Sequence, residues 1–128
     1  MDSIPKTVLT SRIVGDVAVF DVEGELSITR CPVPTLQDLA KDQLDRGMRK
    51  ILFNFEKTVF VDSCGVGQLI ATFTSAQNVG GSLKLAAVPQ RLYLVLKITK
   101  IIDIVRVYPD ETTALESFAK PPEPGPET

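Results

Sequence analysis

A chain of 128 residues with 44% hydrophobic side chains is long enough to close one buried core and too short for two. Its 14 Lys and Arg stand against 16 Asp and Glu, and the cations are spread along the chain without a cluster, which argues against nucleic acid as a partner. No apolar run is long enough to cross a bilayer and no leader-like segment opens the chain, so a cytoplasmic protein without membrane insertion is expected. With no histidine, and with Cys31 and Cys64 far apart, neither a metal centre nor another cofactor is expected.

Taken in order, Thr7 to Val14 and Asp16 to Val22 are rich in β-branched and apolar residues around Gly15-Asp16, which predicts a hairpin. Beyond prolines 32 and 34, Leu36, Leu39, Ala40 and Leu44 recur at helical spacing from Thr35 until Gly47 ends the pattern. Lys50 to Phe55 is a compact apolar run, and a strand following a helix points to an α/β layer arrangement. A second apolar run ends at Phe60-Val61. Val66, Leu69, Ile70, Phe73 and Ala76 then predict a second helix, with Gln68, Thr72, Ser75 and Asn78 on its outer face and Gly80-Gly81 at its end.

Ser82 to Val88 reads as a strand, and Gln90 to Ile98 as a third helix with Leu92, Val95 and Leu96 turned inward. Ile104 to Val107 reads as the last strand. Asp110 then caps a closing helix holding Ala114, Leu115 and Phe118. Pro121 to Thr128 holds four prolines and almost no apolar side chain, so an extended or disordered tail is expected after a domain of residues 1–120. The fold class predicted is a single α/β domain, a small mixed sheet with an N-terminal hairpin and about four helices.

The chemistry concentrates at Val61-Asp62-Ser63-Cys64-Gly65-Val66-Gly67. A strand gives way there to a helix, so a serine hydroxyl and a carboxylate sit together at a helix N-terminus, where an added anion is well accommodated. Spacing alone leaves two readings: Ser63 is an N-cap, or it is a switch that takes up phosphate. Cys64 is a packed small residue rather than a nucleophile, because the chain has no histidine to act as its base. No glycine pattern of a nucleotide-binding loop occurs.

Three separated motifs resemble the STAS domain family, within it the bacterial anti-sigma factor antagonists. They are Val22-Glu23-Gly24-Glu25-Leu26, the Asp62-Ser63 segment, and the stretch from Gly80-Gly81-Ser82-Leu83-Lys84-Leu85 to Val95-Leu96-Lys97-Ile98-Thr99-Lys100-Ile101. The likeness covers roughly residues 7 to 119. It implies a non-enzymatic partner-switching module. Unphosphorylated, such a domain binds an anti-sigma factor that is also a serine kinase; that kinase phosphorylates the serine matching Ser63, and a metal-dependent, PP2C-type phosphatase resets it.

The partner-binding residues implied are Asp62, Ser63, Cys64, Gly65, Val66 and Gln68, with Ser27, Thr99 and Lys100 bordering the patch. This sequence departs from the family at Ser27, where an aspartate is usual, at Cys64, where a second hydroxyl residue is usual, and at Lys100, where a glycine is usual. The loss of the aspartate keeps a second reading open, a STAS scaffold subunit of a signalling or lipid-transport complex in which Ser63 is never modified.

Overall fold

The computed structural model describes residues 7–27 and 33–119; Cys31 and the proline-rich segment from Pro121 lie outside them. β1 (Val8–Val14) and β2 (Val17–Leu26) form the expected hairpin, antiparallel with Val14 opposite Val17. α1 (Leu36–Asp45) follows, held at its start by a reciprocal cap in which Thr35 Oγ1 accepts the Asp38 amide and Asp38 accepts the Thr35 amide, both at 3.0 Å. β3 (Lys50–Asn54), β4 (Thr58–Val61), α2 (Ser63–Asn78), β5 (Ser82–Ala86), α3 (Gln90–Ile98), a 3₁₀ turn at Ile101–Asp103, β6 (Arg106–Tyr108) and α4 (Glu111–Ala119) complete the chain.

The sheet runs β1-β2-β3-β5-β6, parallel everywhere except the first pair. β2 is long enough to serve two partners along one edge. Its first half pairs with β3 and its second half with β4, and the ladder shifts register between Gly24 and Glu25. Gly24 has φ of 98°, a conformation a side chain would resist, and its amide bonds the Lys57 carbonyl at 3.0 Å across the changeover. The Gly24 motif therefore sets where β4 begins, and so where α2 starts.

Strand alternation divides the core in two. Ala18, Phe20, Val22, Ile51, Phe53, Leu83 and Leu85 face α1, α2 and α3, where Phe20 and Phe53 meet edge to face at 5.9 Å. Val17, Val19, Leu52 and Ala86 face α4 through Ala114 and Phe118. The fold class is as expected: one α/β domain with a six-stranded mixed sheet and four α-helices among the described residues.

Several local expectations are corrected. Gln68 and Thr72 are not on an outer face; they are 7% and 0% exposed, because α2 is covered by the sheet on one side and by α1 on another. Ile70, expected inside, is exposed instead. On α3 only Leu92 and Leu96 are buried, and Val95 is 38% exposed. Ile104 lies outside the last strand, which starts at Arg106 after the 3₁₀ turn.

Candidate functional site: the β4–α2 junction

β4 ends at Val61, and the Asp62 amide continues the ladder by bonding the Leu26 carbonyl at 3.2 Å. Asp62, in extended conformation, is the N-cap of α2: its Oδ1 accepts the Cys64 amide at 2.8 Å, and its carbonyl accepts the Val66 amide at 3.0 Å. That assigns the cap to the carboxylate and not to Ser63, which is the first helical residue and is exposed. A carboxylate suits the positive end of the helix dipole. The exposed serine stands next to it in the chain.

The helix mouth is pressed hard against the sheet at Gly65. A Cβ there would stand 2.8 Å from the Leu26 carbonyl oxygen and closer still to Val61 Cγ1, so only glycine lets the first turn approach. Gly67, two residues on, has nothing near it and is exposed. Cys64 and Val66 are half-buried, and Gln68 Nε2 reaches Cys64 Sγ at 3.8 Å. Gln68 Oε1 accepts the Leu36 amide at 3.0 Å, which gives this residue a structural task, linking α2 to the start of α1, in place of the expected surface role.

The solvent face of α2 is therefore the stripe Ser63, Gly67, Ile70, Thr74 and Gln77, spaced four, three, four and three residues apart. The sixteen residues of α2 include no charged side chain. Ser63 thus begins a neutral strip of small, apolar and amide side chains; Gly67, Ile70, Thr74 and Gln77 were not expected on the outer face, whereas Asn78, which was, is exposed. The signal was present: a solvent-facing helix normally carries charge, and this one does not.

The other expected border residues do not join the strip. Ser27 is 3% exposed at the end of β2, with its Oγ 3.4 Å from Glu25 Oε1. Thr99 and Lys100 are exposed but lie elsewhere. Ser63 follows the carboxyl end of β4, whereas Lys100 leads into the amino end of β6, and all strands from β2 onward run the same way. The two places are at opposite ends of the sheet. No cluster of three or more metal-ligating side chains occurs among the described residues.

Comparison with known proteins bears on this arrangement directly, since the STAS domain model matches residues 9–114. The chain belongs to the STAS domain family. A relative from Thermotoga neapolitana, named a candidate anti-sigma factor antagonist, is 30% identical over 106 residues, covering 82% of this chain and 92% of its own length. The anti-sigma-B factor antagonist of Bacillus subtilis is 29% identical over 89 residues, 68% of this chain and 77% of that protein.

Among solved STAS structures, a candidate anti-sigma factor antagonist of Thermotoga maritima superposes with a TM-score of 0.75 at 24% identity, over 88% of this chain and 95% of that one. SpoIIAA of Bacillus, solved in phosphorylated form, superposes with a TM-score of 0.70 at 20% identity, over 87% of this chain and 99% of its own. These likenesses identify the fold. The relatives named as anti-sigma factor antagonists are regulatory binding proteins, not enzymes.

Proposed function

We propose that this STAS protein is an anti-sigma factor antagonist of a cytoplasmic partner-switching pathway. Its α2 strip binds an anti-sigma factor that is also a serine kinase. Phosphorylation of Ser63 ends the complex, and a PP2C-type phosphatase restores it. The observation that carries this reading is the exposed position of Ser63 at the head of an uncharged helix face.

The physics favours a switch in the interface over one in the fold. A phosphate brings about −1.5 to −2 charges to a strip that has none, at the helix end where the dipole tolerates an anion. Folding changes little. Docking changes greatly, because a doubly charged group in a packed interface must be desolvated and finds no partner prepared for it. Gly65, by holding the helix mouth against β2 and β4, keeps the strip rigid in both states.

Incubation with an anti-sigma factor/serine kinase and ATP, followed by intact-mass measurement, tests the reading. One phosphate is expected on the chain and none on Ser63→Ala; Ser63→Asp is expected to weaken binding of the kinase at least about tenfold. An unchanged mass together with retained binding by Ser63→Asp would leave the unmodified scaffold reading in its place.

A further inference from the structure

The hairpin leaves β1 at the edge of the sheet, and no described residue pairs with its outer side. Which backbone groups point outward follows from the turn. Two residues, Gly15 and Asp16, join the strands, so Val14 and Val17 form a hydrogen-bonded pair, and with them Arg12 and Val19, Thr10 and Asp21, and Val8 and Glu23. β2 shows the same phase, since its even-numbered residues turn away from β1: the Gly24 amide bonds the Lys57 carbonyl at 3.0 Å, and the Val22 carbonyl accepts Thr58 Oγ1 at 2.7 Å. The amides and carbonyls of Leu9, Ser11 and Ile13 therefore line the open edge.

An open edge is usually guarded by brevity, by a bulge, by proline or by a free charge. β6 has three residues and β4 four, so both are short. β1 has seven residues in unbroken register, with no proline and one charged side chain, Arg12. That charge is no guard, because Asp21 and Glu111 already engage it. Toward the two ends of the strand, Val8 and Ile13 are 45% and 54% exposed. A long, regular edge of this composition is a template for another strand.

The strand is also its own complement. Laid antiparallel on a second copy about Ser11, it sets Ser11 opposite Ser11, Thr10 opposite Arg12, Leu9 opposite Ile13 and Val8 opposite Val14, polar against polar and apolar against apolar. The backbone agrees, since Leu9, Ser11 and Ile13, which carry the outward groups, then meet only one another. A register centred on Arg12 would put two guanidinium groups face to face, and one centred on Thr10 would set Val8 against Arg12. We propose that β1 pairs with β1 of a second copy of this chain about a two-fold axis at Ser11, joining the two sheets edge to edge and covering Val8 and Ile13. The pairing is independent of the Ser63 reading, because α2 packs on β5, beyond β3, and its strip is not at this edge.

Sedimentation of the full chain from about 10 μM to about 1 mM is expected to show a dimer with a dissociation constant of about 10–100 μM, since one strand pair is a small interface. Amide hydrogen exchange locates it: Leu9, Ser11 and Ile13 are expected to exchange more slowly as concentration rises, while Thr10 and Arg12, bonded to β2 in either state, change little. Ser11→Pro removes an amide that β2 does not use, so the hairpin is retained while association weakens at least about tenfold. Ile13→Lys, at an exposed position, sets an ammonium against Leu9 of the other copy and is expected to weaken association at least about threefold. The proposal is overturned by a monomer throughout the range, by slow exchange at Leu9, Ser11 and Ile13 that does not depend on concentration, by a dimer whose protection falls on α2 instead, or by undiminished association in both variants.

Discussion

Lys100 has φ of 69°, in the left-handed region that costs a residue with a side chain about 1–2 kcal/mol. Its place explains the conformation. The chain must reverse there between the end of α3, where Thr99 Oγ1 bonds the Val95 carbonyl at 2.7 Å, and the 3₁₀ turn at Ile101. A glycine at this position, the residue usual in the family, relieves that strain and gives back part of the gain through its greater freedom when unfolded. Lys100→Gly is therefore expected to stabilise the fold by about 0.5–1 kcal/mol, read as a higher urea midpoint at unchanged slope. An equal or lower midpoint refutes it. Read from sequence, Lys100 is an added charge; in the fold it is also a backbone angle, which no side-chain type discloses. Ser63 shows the reverse case, since a hydroxyl beside a carboxylate at a strand-to-helix boundary was enough to locate the junction, though not to say which of the two would cap.

At the scale of elements, α2 decides how the site is presented. Its inner side rests on the sheet through Leu69 and Ala76, and its flank is tied to α1 by Gln68, whose Oε1 takes the Leu36 amide. That amide is buried at a helix start, where the first N–H groups have no partner within their own helix. Gln68→Leu keeps the apolar volume but leaves the amide unsatisfied, at a cost of about 1–3 kcal/mol. Hydrogen exchange gives a local readout, with faster exchange expected in the first turn of α1 and little change in β3 or β5. Uniformly unaltered exchange at wild-type stability would mean the bond contributes nothing. Element boundaries were largely legible, because Thr35, Gly47, Gly80 and Asp110 are strong caps and breakers. Which polar residues were buried was not. A helix packed on one surface buries one stripe, but a helix packed on two buries polar residues as well, and periodicity does not reveal how many neighbours it has.

At the scale of the whole molecule, the order of strands is what local sequence withholds. Pairing of β4 with the second half of β2 puts Ser63 at one end of the sheet, and the parallel run of β5 and β6 puts Thr99 and Lys100 at the other. The same long-range closure places α4 against the hairpin. Arg12 on β1 donates to Asp21 on β2, with Nε at 2.6 Å, and to Glu111 at the start of α4, with Nη1 at 3.0 Å; Asn54 on β3 donates to Glu111 at 3.0 Å. The Arg12 guanidinium, above all by its hydrogen bond, and then Asn54 hold the Glu111 carboxyl below its ordinary pKa against the opposing effects of burial and of Asp21. A carboxyl whose pKa is lower folded than unfolded contributes stability above the unfolded value and loses it as pH falls through the folded one. Glu111→Gln is therefore expected to cost about 1 kcal/mol at neutral pH, a modest figure because the pair is partly solvated. The gap between the two proteins should shrink from about pH 5 downward and close once Glu111 is protonated in both states. Denaturant midpoints measured across that range decide the matter: a gap that stays constant in acid would make the contact one of packing, whereas a closing gap makes it the electrostatic clasp that joins the first strand to the last helix.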